Sequence, residues 1–158
     1  MNEPKKLIDT PSQTAGPFLH IGCAPRITGI NIFKIELGLT PFQDISDNEA
    51  INIKGKIYDG NGEPIIDAMI ETWQCDANGN YSSNQGFARI VTDFKTGEYQ
   101  LKTIRPGNKI NTDGSLSASY ITFWIVARGM NRPLITRMYF LENDLKNDLK
   151  FQSLNVED

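Results

Sequence analysis

Apolar and polar residues alternate in several stretches of the chain, and the clearest of these runs from Ile53 to Tyr81. Its first residues alternate with period two, which predicts a strand with one face in solvent. The sequence Asp-Gly-Asn-Gly at 59–62 then favours a tight turn, because both dipeptides tolerate positive φ. Residues 65–75 predict a second, more apolar strand, which ends in another Gly-containing turn. The stretch therefore predicts strand, turn, strand and turn.

Further short strands are predicted on both sides of this stretch, at residues 31–39, 89–94, 99–104, 120–127 and 133–141. The Lys-Thr-Gly sequence between the second and third of these strands predicts a hairpin turn. The YITFWIVA run at 120–127 is almost wholly apolar and β-branched or aromatic, so it predicts a central strand buried on both faces. The charged tail that follows the last strand predicts one or two helical turns at most.

Short strands separated by turns, without a helical period, predict an all-β fold, here a mainly antiparallel β-sandwich. We expect residues 1–30 to form an N-terminal arm and residues 31–158 to form the sandwich domain. The side chains expected in or near its core are Ile57, Ile70, Trp73, Ile121, Phe123 and Ile125. Glu71 is expected to pair with a basic group or to lie at a sheet edge, because an unpaired buried carboxylate is costly.

The N-terminal arm contains the sequence TPSQTAGPF at residues 10–18, with two prolines and a glycine. Proline restricts both its own backbone and the preceding residue, so this segment predicts an extended, rigid arm. The alternative is a disordered terminus, which is common at chain ends. Phe18, Leu19 and Ile21 favour the ordered arm, because they give it apolar side chains to bury.

Length and charge narrow the range of functions. The 158 residues suffice for one domain with a real core, and the net charge of -3 disfavours nucleic acid and anionic membranes as partners. No stretch approaches the ~20 apolar residues of a membrane span, and the N-terminal sequence lacks the apolar run of a signal peptide. We therefore expect a cytoplasmic protein in which Cys23 and Cys75 are reduced thiols.

His20 is the only histidine in the chain. A mononuclear iron or zinc site that needs two imidazole ligands therefore cannot be built from this chain alone. The Asp-x-Asn-x-Asn sequence at 76–80 is similar to the start of a calcium-binding loop. Tyr81 and Phe87 occupy the positions where that loop needs Gly and Glu, so the sequence argues against a calcium site.

The stretch from Ile53 to Tyr81 resembles the central motif of the intradiol ring-cleaving dioxygenases, in which a strand leads through a glycine turn to an acidic residue and then to Gly-x-Tyr. The matching residues are Gly55, Ile57, Gly62, Ile65, Ile70, Glu71, Gly79 and Tyr81. Thr72 departs from the motif, which usually has an apolar residue there. The TPSQTAGP arm and the sequences IRPG at 104–107 and ARG at 127–129 resemble the α subunits of two-subunit members that act on protocatechuate.

The resemblance implies a ferric iron held by two tyrosines and two histidines in the catalytic members of the family. Those four positions fall here at Tyr81, Lys109, Tyr120 and Thr122, so only the first keeps its residue type. This departure is what the resemblance implies for an α subunit, which shares the fold of the catalytic β subunit without binding iron. We therefore expect no metal in this chain and Fe(III) in its partner.

The activity that the resemblance implies is cleavage of protocatechuate by O₂ between its two hydroxyls, which gives 3-carboxy-cis,cis-muconate. This chain would pair with an iron-bearing β subunit, complete the substrate pocket and contain no catalytic residue itself. The pocket residues that the resemblance implies are Thr14, Gly16, Pro17 and Arg128. For Arg128, the alternative is a solvated residue at a strand end.

Two other functions stay open at this point. The Gly-x-Tyr and Pro-Gly pattern of residues 97–107 also occurs in transthyretin-like and peptidase-associated sandwiches, which favours a stand-alone binding or structural module. A degenerate paralogue is the other, because the family usually continues for a few tens of residues past Asp158, and we expect a sandwich that is short at its C-terminus. The TPSQTAGP arm favours the α-subunit interpretation, since a simple module has no use for it.

Overall fold

Strands and turns dominate the structure, a computed structural model that describes residues 8, 10–11, 13–16, 18–34, 38–140, 145 and 148–154. The strands in this part of the chain are β1 (Ala50–Lys56), β2 (Met69–Trp73), β3 (Phe87–Val91), β4 (Glu98–Ile104), β5 (Lys109–Ile110), β6 (Leu116–Ser117), β7 (Tyr120–Val126) and β8 (Leu134–Tyr139). The helices are α1 (Leu19–Cys23), a 3-10 helix (Pro25–Thr28) and α2 (Leu149–Gln152). No helix among these described residues has the length and apolar character that a membrane crossing requires.

Two antiparallel sheets pack against a common core. The larger sheet has the strand order β3-β2-β7-β8, while β1 pairs with β4 in the smaller one, and β5 and β6 form a short hairpin. Both sheets contribute to the buried core, which contains Ala68, Ile70, Ala88, Ile90, Leu101, Ile121, Phe123, Ile125 and Ala127. The predicted antiparallel sandwich is therefore confirmed.

β7 lies at the centre of the larger sheet, as its apolar sequence predicts. It pairs with β2 on one side and with β8 on the other, and most of its side chains are buried. β2 is shorter than predicted, because it begins at Met69 and ends at Trp73 rather than spanning 65–75. β8 lies within its predicted range, and α2 supplies the helical turn expected of the tail.

The hairpin predicted between β3 and β4 is wrong. The turn itself is present, since the Asp93 N–H donates to the Glu98 carbonyl at 2.8 Å and the Asp93 carboxylate accepts from the N–H groups of Lys95 and Thr96. However, β3 pairs with β2, whereas β4 pairs with β1 in the other sheet. The turn therefore carries the chain from one sheet to the other instead of reversing it within one sheet.

The strand predicted at residues 31–39 is also wrong in its described part, because residues 31–34 and 38–39 form no strand. The second half of this loop lies along the outer edge of β3. There the Arg89 N–H donates to the Gly38 carbonyl at 2.7 Å, and the Gly86 N–H donates to the Pro41 carbonyl at 2.6 Å. These two bonds cover backbone groups of an edge strand that another chain would otherwise be able to pair with.

The N-terminal arm continues into two short helices that the sequence pattern does not predict, α1 and the 3-10 helix. Phe18 is 74% exposed and Ile21 is exposed as well, so the expected burial of these two side chains is wrong. The turn of α1 buries His20 instead, whose ring lies edge-on to Phe94 with the centroids 5.3 Å apart. A histidine rather than the apolar residues thus anchors this segment to the sandwich.

Trp73 lies outside the core in which it is expected. Its side chain is 37% exposed and stacks on the ring of Tyr81, with the centroids 5.9 Å apart. The alternation along β2 explains this position, because Trp73 lies on the same outer face of the sheet as Glu71. Glu71 there accepts a hydrogen bond of 2.8 Å from Arg89 Nε, so the basic partner predicted for this carboxylate is confirmed.

Candidate functional site

The face of the larger sheet that points away from the core carries aromatic and polar side chains. On β7, Tyr120 and Thr122 alternate with the residues of the core, so they lie on this outer face. The register places Tyr120 opposite Tyr139 and Thr122 opposite Arg137 on β8. On the other side of β7, Trp73 lies opposite Thr122. These side chains form a row across the sheet.

The positions that the resemblance matches to iron ligands lie in this region. The Tyr81 hydroxyl donates to the Tyr120 hydroxyl at 3.3 Å, and Lys109 Nζ lies 5.1 Å from the centre of the Tyr81 ring. Thr122 follows Tyr120 by two residues on β7 and therefore lies on the same face. The loop after β2 thus brings Tyr81 to β7, while β5 brings Lys109 to Tyr81.

Two further residues complete this group, and sequence reasoning missed both of them. Arg137 Cζ lies 3.9 Å from the centre of the Tyr120 ring, and Arg137 Nη1 donates to the Tyr139 hydroxyl at 3.4 Å. The Tyr120 and Tyr139 rings are 5.9 Å apart. We call Tyr81, Lys109, Tyr120, Arg137 and Tyr139 the tyrosine–arginine cluster. Arg137 and Tyr139 could have been found from the register of β7 and β8, which places them opposite Thr122 and Tyr120.

The electrostatics of the tyrosine–arginine cluster favour a neutral phenol at Tyr81. Burial raises the pKa of Tyr81 well above its ordinary value, and the hydrogen bond to the Tyr120 hydroxyl raises it further. Burial alone would lower the pKa of Arg137. The hydrogen bond to the Tyr139 hydroxyl and the electrostatic interactions with Tyr120, Tyr139 and Asp148 outweigh burial, so the pKa of Arg137 is raised. At neutral pH the cluster therefore contains a protonated Tyr81 and a fully charged guanidinium.

This set of donors does not fit a ferric ion. The four ligand-equivalent positions supply two phenols, an ammonium group and a neutral threonine hydroxyl, in place of two tyrosines and two histidines. Lys109 cannot coordinate a metal while it is protonated, and Arg137 adds a second positive charge that repels a trivalent cation. Within the residues that the structure describes, no group of three or more His, Cys, Asp or Glu side chains is arranged to hold a metal.

The raised pKa of Tyr81 leads to a prediction about alkaline stability. A group whose pKa is higher in the folded than in the unfolded state stabilises the fold at neutral pH, and this contribution is lost as pH rises above the unfolded value of about 10. Because Tyr81→Phe removes the ionisable group, we expect its free energy of unfolding to fall less steeply than that of the unmodified chain between about pH 9 and 11.

Urea unfolding curves at several pH values measure this slope. Tyr99→Phe is a matched positive control, because burial raises the pKa of Tyr99 too. Equal slopes for Tyr81→Phe and the unmodified chain would show that the Tyr81 hydroxyl titrates in the folded state as it does in the unfolded state.

A second group of side chains lies where the N-terminal arm meets the end of β7. A parallel backbone bridge joins Ala15 to Arg128, which places Thr14 and Gly16 beside Arg128. Thr14, Gly16 and Arg128 are all exposed, and the side chain of Arg128 is 58% exposed. Of the four pocket residues expected from the sequence, three are thereby neighbours. The fourth, Pro17, lies outside the described residues.

Asp67 links this group to His20. The Arg128 Nε donates to the Asp67 carboxylate, whose side chain is largely buried. Burial lowers the pKa of His20, while the negative charge of Asp67 partly opposes the change, so the imidazole is neutral at pH 7. In the described part of the chain, His20 Nε2 has no hydrogen-bond partner. Sequence reasoning missed Asp67, which precedes β2 and follows no recognisable motif.

The family model and the related sequences that match this chain all belong to one family of dioxygenases. Residues 36–154 match the family described as Dioxygenase (Dioxygenase_C). The chain is 37% identical over 157 residues to the protocatechuate 3,4-dioxygenase alpha chain of Pseudomonas putida, a match that covers 95% of this chain and 78% of the relative. It is 31% identical over 144 residues to the alpha chain of the same name from Burkholderia cepacia, covering 85% and 71% of the two chains.

Solved structures with the same fold include catechol 1,2-dioxygenase from Pseudomonas arvilla C-1, with a TM-score of 0.62 and 21% identity over 72% of this chain. Chlorocatechol 1,2-dioxygenase from Pseudomonas putida has a TM-score of 0.61 and 22% identity over 70% of this chain. The matched region spans 42% and 54% of those two proteins. At these identities the likeness concerns the fold, and it agrees with the antiparallel sandwich described above.

Proposed function

The chain belongs to the intradiol ring-cleaving dioxygenase family, and we propose that it is the non-iron α-type subunit of a protocatechuate 3,4-dioxygenase. In this function it pairs with an iron-bearing β subunit, and the complex cleaves protocatechuate with O₂ to 3-carboxy-cis,cis-muconate. The similarity to two alpha chains of that name, over most of each relative, supports this proposal. A match of 28% identity to a beta chain of Burkholderia cepacia is consistent with two related subunits.

The observation that carries the proposal is the contact between the N-terminal arm and Arg128. The bridge between Ala15 and Arg128 holds Thr14, Gly16 and Arg128 together at one exposed place, although more than one hundred residues separate them in the sequence. If Arg128 were only a solvated residue at the end of a strand, it would not need an arm bound beside it. A segment that reaches into a partner's pocket needs this anchorage, because its position sets the distance to the substrate.

Arg128 has the chemistry to receive the carboxylate of protocatechuate. Its Nε is held by Asp67, and neither terminal nitrogen has a protein partner among the described residues. A guanidinium presents these nitrogens as a planar fork that matches a carboxylate. Gly16 has no side chain and so permits a flat ring to approach the backbone closely. We include Thr14 and Pro17 in the same pocket.

The chemistry of iron belongs to the partner in this proposal. When bound in the β subunit, Fe(III) supplies the activation of the catecholate for attack by O₂. The present chain supplies charge and shape at the edge of that pocket, because its own ligand-equivalent positions do not fit the metal. We also propose a cytoplasmic location, which suits the two free thiols, Cys23 and Cys75.

Co-expression of this chain with a β subunit from the same source tests the proposed function. We expect the two chains to co-elute in size-exclusion chromatography, and O₂ consumption with protocatechuate to require both. Iron content is expected to equal the content of β chains. A stoichiometric iron in the isolated chain, activity without the β subunit, or failure of the two chains to associate would each contradict the proposal.

A further inference from the structure

A cavity of about 330 Å³ opens beside the tyrosine–arginine cluster. It lies between the outer face of β8 and the helix α2, on the side of the sheet opposite to the core. The residues that line it include the polar or charged Thr122, Arg137, Tyr139 and Lys150 and the apolar Ile135 and Leu154. The volume is at the small end of the range for ligand-binding pockets.

The charge of this cavity is not balanced by the residues that line it. Two cationic side chains, Arg137 and Lys150, line the cavity, and no acidic residue lines it among the residues described. Asp148 is a carboxylate whose negative charge favours the Arg137 cation. Its Oδ2 accepts from the Ala118 N–H at 2.9 Å, and its Oδ1 accepts from the N–H groups of Lys150 and Phe151 at 2.9 Å each.

Asp148 is therefore committed to the backbone and to the N-terminal turn of α2. Within the described part of the chain, Arg137 and Lys150 form no ion pair with a side chain. Lys150 is exposed, but Arg137 is half-buried, and a cation that is partly removed from water favours an anion close to it because the lost hydration must be replaced. The cavity thus has an unmet preference for negative charge.

Arg137 is also held in a fixed position. Its guanidinium lies against the face of the Tyr120 ring, and among the described residues its one hydrogen bond runs from Nη1 to the Tyr139 hydroxyl. Stacking on an aromatic ring leaves the edge of a guanidinium free to donate within its own plane. A donor that is already oriented loses little conformational freedom when it binds an acceptor.

We propose that this cavity binds a small organic carboxylate, with its carboxyl group on Arg137 and Lys150 and its apolar body against Ile135 and Leu154. A guanidinium can donate two parallel hydrogen bonds to a carboxylate or a phosphate, so the apolar walls are what favour an organic carboxylate. Ile135 is 66% exposed, and an apolar ligand body covers this surface whereas an inorganic anion does not. This site uses neither a metal nor a β subunit, and its ligand needs no hydroxyl groups.

Isothermal titration of the 158-residue chain with sodium benzoate tests the proposal. We expect saturable binding that is at least tenfold weaker in Arg137→Met, which removes the charge and keeps an unbranched apolar chain. Arg132→Met is the matched control, since Arg132 is an exposed arginine that does not line the cavity, and benzoate binding is expected to be unchanged in it. Unfolding curves establish that each variant is folded.

Acetate and inorganic phosphate complete the experiment. Acetate is expected to bind at least tenfold more weakly than benzoate, because it lacks a body that covers the apolar walls. Should Arg137→Met fail to fold, Lys150→Met is expected to weaken benzoate binding in the same direction. Absence of saturable benzoate binding, binding that is unchanged in the folded Arg137 or Lys150 variant, or phosphate binding as tight as benzoate binding would overturn the proposal.

Discussion

Arg128→Ala in the assembled α/β complex is expected to raise KM for protocatechuate by roughly 5- to 150-fold, with the iron content unchanged. This range corresponds to the loss of about 1–3 kcal/mol, the scale of a hydrogen bond to a charged group. We expect the main effect on KM rather than on kcat, because the carboxylate of protocatechuate does not react and is bound in the ground state as well as in the transition state.

The ion pair between Arg128 and Asp67 requires a separate control. Arg128→Ala leaves the largely buried Asp67 carboxylate without its partner, so a change of stability can accompany the change of KM. The double variant Asp67→Asn/Arg128→Ala removes both charges. If Arg128 contacts the substrate, KM differs by the same factor between this double variant and Asp67→Asn as between Arg128→Ala and the unmodified complex.

Arg132→Ala is the matched control for a change of surface charge. It removes an exposed arginine four residues further along the chain, and its KM is expected to equal that of the unmodified complex. Steady-state kinetics and an iron assay decide the outcome. Equal KM and kcat/KM for Arg128→Ala and the unmodified complex would show that Arg128 is a solvated residue at the end of a strand, the alternative that the sequence leaves open.

Gly107→Ala is expected to destabilise the fold by about 1–3 kcal/mol or more, the range for forcing extra atoms into a packed site. A Cβ at this position would lie 2.3 Å from the Ala77 carbonyl oxygen and 2.7 Å from the Gly79 nitrogen. Both are backbone atoms, so no flexible side chain is able to move aside. The Gly107 N–H also donates to the Asp76 carbonyl at 2.8 Å, which holds the two turns together.

Gly60→Ala is the matched control for this substitution. Nothing lies within 4 Å of a Cβ added at Gly60, and its φ is not in the left-handed region. The substitution there restricts mainly the unfolded chain and is expected to stabilise by about 0.4–1 kcal/mol. Urea unfolding of the three proteins measures the difference. Equal stability of Gly107→Ala and Gly60→Ala would mean that the turn at 107 relaxes without cost.

The sequence predicts those parts of the fold that depend on local pattern. β7 is predicted correctly because a run of apolar, β-branched and aromatic residues needs burial on both faces. The turn at Asp93 is also predicted, but the sheet that the next strand joins depends on β1, far away in the chain. Trp73 lies outside the predicted core because the alternation along β2 puts it on the face of Glu71, although its side chain is large and apolar.

The candidate site divides in the same way. The family motif locates Tyr81, Lys109 and Tyr120, because that motif is a linear pattern of residues. Arg137 belongs to the site only through its place opposite Thr122 in the register of β7 and β8. Asp67 belongs to it only through its contact with Arg128. A single sequence therefore predicts the residues of a linear motif, but it does not predict residues that join the site only through the three-dimensional fold.

The crossing of the turn at Asp93 between two sheets has a consequence for the order of folding. β1 pairs with β4 from Ala50 opposite Ile104, so the smaller sheet closes a loop of roughly fifty residues. β2 pairs with β3, and β7 with β8, over much shorter loops. Non-local pairings form slowly, because the loop entropy is lost before contacts compensate for it. We therefore expect the apolar side of β1 to stay uncovered during synthesis until β4 has left the ribosome.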